Sequence, residues 1–269
     1  MAENEFILRV IRKQGSAAAV TCGSAIYLGQ RYALTCWHVI VGKDEEWGAD
    51  DAACKCRRDE FSVSSPKSVA TARVVSVPCE SPRSQLDLAL LELDRELPGP
   101  ALPLLRDVNE TFIRNLDECD DVRAWGFACR TDGDAPSSDR IMGHEVERDR
   151  YDSTTGRLLD LQLISGSLPH GYSGGAVICR VDGKAACLGV PYLGGEGAAT
   201  SRFRSSDVVI DQFLAPKLGD DWKQFVLPAE SLVPSDQQVA ADLLAGYRQA
   251  VQKSWGEDFY EKPPEQECQ

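Results

Sequence analysis

Apolar residues along this chain come in short runs separated by turn chemistry, and the runs fall into two sets. The first set is FILRVIR (6–12), AAAVTCGSAIYLG (17–29), RYALTCWHVI (31–40), TARVVSVPC (71–79) and LDLALLELD (86–94). The second is DVRAWGFACR (121–130), MGHEVERDRYD (142–152), RLLDLQLI (157–164), GAVICRV (175–181) and AACLGVPYL (185–193). Each run has the length of a strand. Residues 158–164 alternate apolar and polar, the period of two that marks a half-buried strand. VDGK at 181–184 sets Asp-Gly between two apolar runs, which predicts a tight hairpin. Between the sets, RDVNETFIRNLDEC (106–119) is polar and lacks alternation, so it predicts a crossover. Two sets of short strands point to two barrels or sandwiches, not to a parallel sheet clothed in helices. The pattern changes near the C-terminal end. Val239, Leu243, Tyr247, Val251 and Trp255 recur every four residues behind Ser235 and Gln238, which have capping-box spacing. That stripe predicts a helix over 235–255, packed on the last barrel or free to dock a partner.

Charge narrows the partners. The chain of 269 residues has 29 Lys and Arg against 42 Asp and Glu, a net charge of −13. Nucleic-acid binding needs clustered Lys and Arg, and the one dense basic run, KCRR at 55–58, sits among acidic residues. We therefore expect no nucleic-acid partner. No apolar run reaches the length of a membrane span, and MAENEFILRVIRKQG has no apolar core of a secretory signal, so either a cytoplasmic location or a module cut from something longer is expected. The ten cysteines are then expected to be reduced thiols, many packed inside apolar strands as small hydrophobes. Cys54 and Cys56 form a C-x-C without a second pair at zinc spacing, so no metal and no cofactor are expected.

The chemistry is concentrated in LPHGYSGGAVI (168–178). GYSGG fits both the G-x-S-x-G elbow of α/β-hydrolases and the G-x-S-G-G loop of trypsin-like peptidases. The elbow needs strand, turn, helix, with the catalytic His after the Ser. The three histidines are His38, His144 and His170, all before Ser173, and a hairpin pattern follows Ser173. The elbow reading fails on both counts. The order His, Asp, Ser is satisfied instead by His38 at the end of ALTCWHVI, Asp87 at the head of LDLALLELD, and Ser173. His144, in the charged run GHEVERDRYD, reads as solvent-facing.

The blocks GSAIYLGQRYALTCWHVI, LDLALLEL and GYSGGAV, in that order, resemble the trypsin-like (chymotrypsin-fold) serine peptidases over roughly residues 15–195. They resemble the bacterial Deg-type and stand-alone intracellular branch more than the digestive enzymes. The resemblance implies an all-β fold of two six-stranded antiparallel barrels. It places a peptidase domain over 1–228, with barrels at about 5–105 and 119–215, and a helical extension and tail over 229–269. No room is expected after residue 230 for the peptide-binding domain that Deg-type proteases carry. It implies a catalytic triad of His38, Asp87 and Ser173, with Gly171 and Ser173 N–H groups as the oxyanion hole. Ser167 would lie near the floor of the primary pocket, His170 would either face a substrate acid or merely shape the loop, and Val190, Pro191 and Tyr192 would form a wall and pair with the substrate backbone. The expected partners are a protein or peptide substrate and a regulatory or sensor protein, in stress or antiviral signalling. The alternative is a silent or latent module that binds peptides without cutting. Tyr172 stands where secreted members often carry the Asp that pairs with a freed N-terminus, so activation by that ion pair is not expected.

Overall fold

The computed structural model describes residues 5–12, 20–41, 60–65, 67–76, 86–108, 112–113, 116, 121–128, 137–140, 146–151, 158–163, 168–181, 183–193, 201–229 and 232. Met1–Ala229 form one compact unit and Glu230–Gln269 another. The helix predicted over 235–255, the Cys54/Cys56 pair, His144 and Ser167 all lie outside the described residues.

Six strands close the first barrel: β1 (Ile7–Arg12), β2 (Val20–Gly29), β3 (Tyr32–Cys36), β4 (Glu60–Ser65), β5 (Ser68–Ser76) and β6 (Leu88–Leu93). Their order is β1-β2-β3-β6-β5-β4, antiparallel throughout. The alternation on β4, EFSVSS, sends Phe61 and Val63 inward and leaves the serines half-buried. Leu88, Ala89, Leu90 and Leu91 are all buried, because β6 lies between β3 and β5 with core on both faces. The run 31–40 does not continue as one strand. It breaks at Cys36, and Trp37–Val41 form a short helix, α1.

Among the described residues the second half carries nine strands, more than the six of a minimal barrel. They are β7 (Leu104–Arg106), β8 (Asp121–Gly126), β9 (Ser137–Arg140), β10 (Val146–Tyr151), β11 (Leu158–Leu163), β12 (Ala176–Val181), β13 (Lys184–Leu193), β14 (Ser201–Ser205) and β15 (Val226–Pro228). Seven form the antiparallel path β10-β11-β14-β13-β12-β8-β9. β7 and β15 join it in parallel, β7 pairing with both β13 and β15. The β12–β13 hairpin pairs Val181 with Lys184 around Gly183 at φ +74, as the Asp-Gly signal predicts.

A helical run over 206–225 follows β14: an α-turn Ser206–Val208, a π-helical turn Val209–Leu214, an α-turn Ala215–Leu218 and a 3-10 turn Gly219–Phe225. This run grips the chain between the two halves. Asp207 accepts the N–H groups of Asp107 (2.8 Å) and Val108 (2.7 Å), and Arg106 pairs with Asp211. The Arg106 guanidinium also lies 5.4 Å from the Trp222 ring centroid. Burial pushes the Asp207 carboxyl up, while its two amide bonds and Arg106 pull it down. Among the described residues no helix is long and apolar enough to cross a membrane.

Candidate active site

β3 and α1 bring His38 to the rim of the first barrel, and the turn before β6 brings Asp87 beneath it. Asp87 adopts φ +46, a left-handed conformation that Asp tolerates better than most residues. Its carbonyl accepts the Trp37 N–H (3.1 Å), and Oδ1 accepts the His38 backbone N–H (3.0 Å). Those bonds satisfy two donors at the start of α1. The second carboxylate oxygen lies 2.6 Å from His38 Nδ1. A carboxylate only accepts, so Nδ1 carries the proton and Nε2 is left as the basic nitrogen. His38 and Asp87 side chains are 19% and 12% exposed, open enough on the His side for a substrate to approach.

Ser173 lies between two turns. The Tyr172 N–H donates to the Pro169 carbonyl (3.3 Å) and the Gly175 N–H to the Tyr172 carbonyl (2.8 Å). The third residues of these turns are Gly171 at φ +99 and Gly174 at φ +80, while His170 and Ser173 keep negative φ, which makes both turns type II. Among the described residues neither the Gly171 N–H nor the Ser173 N–H donates a hydrogen bond.

The loop is pressed against the first barrel. Ser24 N–H donates to the Ser173 carbonyl (3.0 Å), and Ser24 Oγ donates to the Gly171 carbonyl (2.6 Å). A Cβ at Gly174 would stand 2.2 Å from the Ser24 carbonyl oxygen, 2.4 Å from Thr35 Oγ1 and 2.9 Å from the Cys36 N, so only glycine fits. Cys36 is two residues from His38, and these contacts bring the Ser173 loop to the strand that delivers it. No hydrogen bond joins Ser173 Oγ to His38 among the described residues.

The family described as "Trypsin-like peptidase domain" matches residues 23–189. The chain belongs to the trypsin-like peptidases. By family it is a serine endopeptidase. No curated protein matches it. Among solved structures it is similar to the active form of the Rv3671c protease from M. tuberculosis, at 18% identity and a TM-score of 0.53, covering 81% of this chain and 82% of that one. The inactive form of the Rv3671c protease gives 18% identity and a TM-score of 0.47, over 80% and 88% of the two chains.

The other residues predicted for this peptidase's site divide by burial. His170 is half-buried in the second position of the first turn, and Tyr192 is half-buried on β13. Val190 is fully buried in the hydrophobic core, and Pro191 is buried with its carbonyl already accepting the Gly174 N–H (2.9 Å) and the Cys36 thiol (3.1 Å). Neither can offer a side chain to substrate. Tyr172 is buried, its hydroxyl 3.0 Å from Ser137 Oγ, and Gly126 makes room for its ring: a Cβ there would sit 2.8 Å from Tyr172 Cγ.

Two groups were not foreseen, and a third was expected only to pack. Ser24 is one, and its only trace in the sequence is a glycine before it. The second is Arg204, 2% exposed, which pairs with buried Asp160 and lies 4.4 Å from the Tyr192 ring centroid. Tyr192 Oη donates to the other Asp160 oxygen (3.2 Å). Buried charges persist only when paired and hydrogen-bonded, and this cluster meets both conditions behind β13. The third is Cys36. Its Sγ, His38 and Asp87 offer ligand atoms within 4.8 Å of one another, a spacing a divalent ion could bridge. Burial, then the Asp87 charge, pushes the Cys36 thiol well up, and it donates to Pro191. A protonated donor thiol does not suit a metal, which requires thiolate.

Proposed function

We propose that catalysis runs through a triad of His38, Asp87 and Ser173. The observation that carries this reading is the His38 Nδ1–Asp87 Oδ2 contact of 2.6 Å in the corner where the Ser173 loop meets the first barrel. His38 Nε2 takes the Ser173 Oγ proton as Oγ attacks the scissile carbonyl. It then passes that proton to the leaving amine. Asp87 holds the tautomer and stabilises the imidazolium. The Gly171 and Ser173 N–H groups receive the developing oxyanion, where each donor is worth about 10²–10³ in rate. Ser167 and His170 are the residues assigned to the primary pocket, Ser167 by its offset from the Ser173 motif alone. The substrate extends along β13 past Gly189, where β12 pairing ends, with Tyr192 beside it and Val190 and Pro191 supporting from behind.

The natural setting is the cytoplasm, with activity controlled by a regulatory or sensor protein in a stress or antiviral response and no membrane or nucleic-acid partner. The buried free thiols Cys36, Cys179 and Cys187 support a reducing compartment. The uncharged Tyr172 supports control by contact in place of an N-terminal ion pair. The absent Ser173–His38 hydrogen bond favours one alternative, a latent or silent module that binds peptides or partner proteins, although apo triads often close only with substrate. Labelling with a fluorophosphonate probe tests both readings. Wild type should label, and Ser173→Ala and His38→Ala should not. Well-folded wild type that stays unlabelled, alone and with candidate partner proteins, would leave the silent module.

A further inference from the structure

Ser24 is completely buried, and its hydrogen bonds reach two segments of the other half as well as the neighbouring strand β3. Its N–H donates to the Ser173 carbonyl (3.0 Å) and its Oγ donates to the Gly171 carbonyl (2.6 Å). The same Oγ accepts the Phe127 N–H (2.8 Å), at the end of β8. Its carbonyl accepts Thr35 Oγ1 (2.6 Å) on β3, the strand that delivers His38. Gly171 and Ser173, the two residues whose N–H groups remain undonated, are thus both gripped by their carbonyls, and by one residue of the opposite half.

We propose that Ser24 is the positioning residue of the oxyanion hole, fixing both of its donors in the second half against the His38 base in the first. The proposal rests on the triad reading. Glycine at φ +99 gives the first turn wide freedom, so its sequence alone does not hold the Gly171 amide in one direction. The Tyr172 N–H bond to Pro169 secures one side of the Gly171–Tyr172 peptide, and the Ser24 hydroxyl secures the other. Oxyanion donors act only when they already point at the place where charge develops. Ser24 never touches the substrate. It acts through the loop, so its loss should spare ground-state binding and weaken transition-state binding.

Ser24→Ala removes the bonds to Gly171 and Phe127 and keeps the backbone bond to Ser173. A loosened donor is aimed correctly for part of the time, so kcat should fall at least about tenfold and no further than the about 10²–10³ of losing a donor outright. Affinity for a peptide aldehyde, which forms the tetrahedral adduct, should fall by the same factor. The Kd of an uncleaved peptide, measured on a Ser173→Ala background, should stay within about twofold. The 15N order parameter of Gly171 should drop from rigid values near 0.85 to below about 0.6. A Gly171 amide that stays rigid would overturn the proposal, and this readout needs no activity. Failure of wild type to label with fluorophosphonate is the separate sign that the triad reading is wrong. Wild-type kcat and aldehyde affinity in the variant, or peptide Kd weakening in step with kcat, would also overturn it. Ser24→Gly removes the same hydroxyl if the alanine variant does not fold. Failure of both to melt cooperatively would assign Ser24 a purely structural role.

Discussion

At the scale of single residues, the site depends on which atom holds which proton. Asp87 accepts from His38 twice, through the ring and through the backbone, so its removal disturbs both tautomer and helix start. Asp87→Asn can present an N–H to Nδ1 and force the proton onto Nε2. We expect kcat to fall about 10⁴-fold with the fold intact, measured as turnover of a peptide substrate. The thiols give a prediction about pH. Burial pushes the Cys187 thiol from 9.0 up to about 12. The unfolded chain therefore sheds this proton first, and stability is lost progressively as pH rises from near 9 toward 12. Chemical denaturation at pH 8, 9 and 10 should show that fall, with a shallower slope in Cys187→Ala. Native Cys36, Cys179 and Cys187 should resist iodoacetamide at pH 8 and react once unfolded, read by mass spectrometry. Arg204 shows why some residues escape a reading of the sequence: SRFRS looks like a surface strand, yet Arg204 stands opposite Asp160 in the β11–β14 register and is buried with it. The compensation lies 44 positions away and leaves no local pattern.

At the scale of elements, glycines and short turns fix where chemistry meets scaffold. Gly174→Ala adds a Cβ 2.2 Å from a backbone oxygen at φ +80, so either β2 or the loop must move. We expect a loss of about 2–4 kcal/mol in urea denaturation, together with loss of fluorophosphonate labelling. Asp207→Ala strips two amides of their acceptor and should lower stability by about 2 kcal/mol, while Asp207→Asn keeps one acceptor and should lose less. Both are read by denaturation at pH 7. Legibility followed the same division. Strands whose own residues alternate or run apolar, such as β1, β6, β11 and β12, were readable, as was the hairpin at Gly183. The strands β4, β7, β9, β14 and β15 were not, because they are short or polar and exist through their neighbours. His38, Asp87 and Ser173 stand out by residue type and chain order. The bend from β3 into α1 does not, since it follows from Asp87 capping a helix 49 residues earlier.

At the scale of the whole molecule, the two halves are joined by more than their connecting chain. Ser24, Cys36 and Pro103 each hydrogen-bond the other half, and Met1–Ala229 form one unit. Unfolding of that unit should be a single transition, with tryptophan fluorescence and far-UV circular dichroism giving coincident urea curves. The strand β7 goes further. By sequence it closes the first half, but its partners are β13 and β15 of the second. A protease that nicks the backbone after Val108 would therefore leave the first fragment holding a strand of the second fragment's sheet. The nicked protein should run as one species on a sizing column and as two bands under denaturation. Two separately expressed fragments split at that point carry the means to find each other, which makes this fold a natural frame for a complementation reporter.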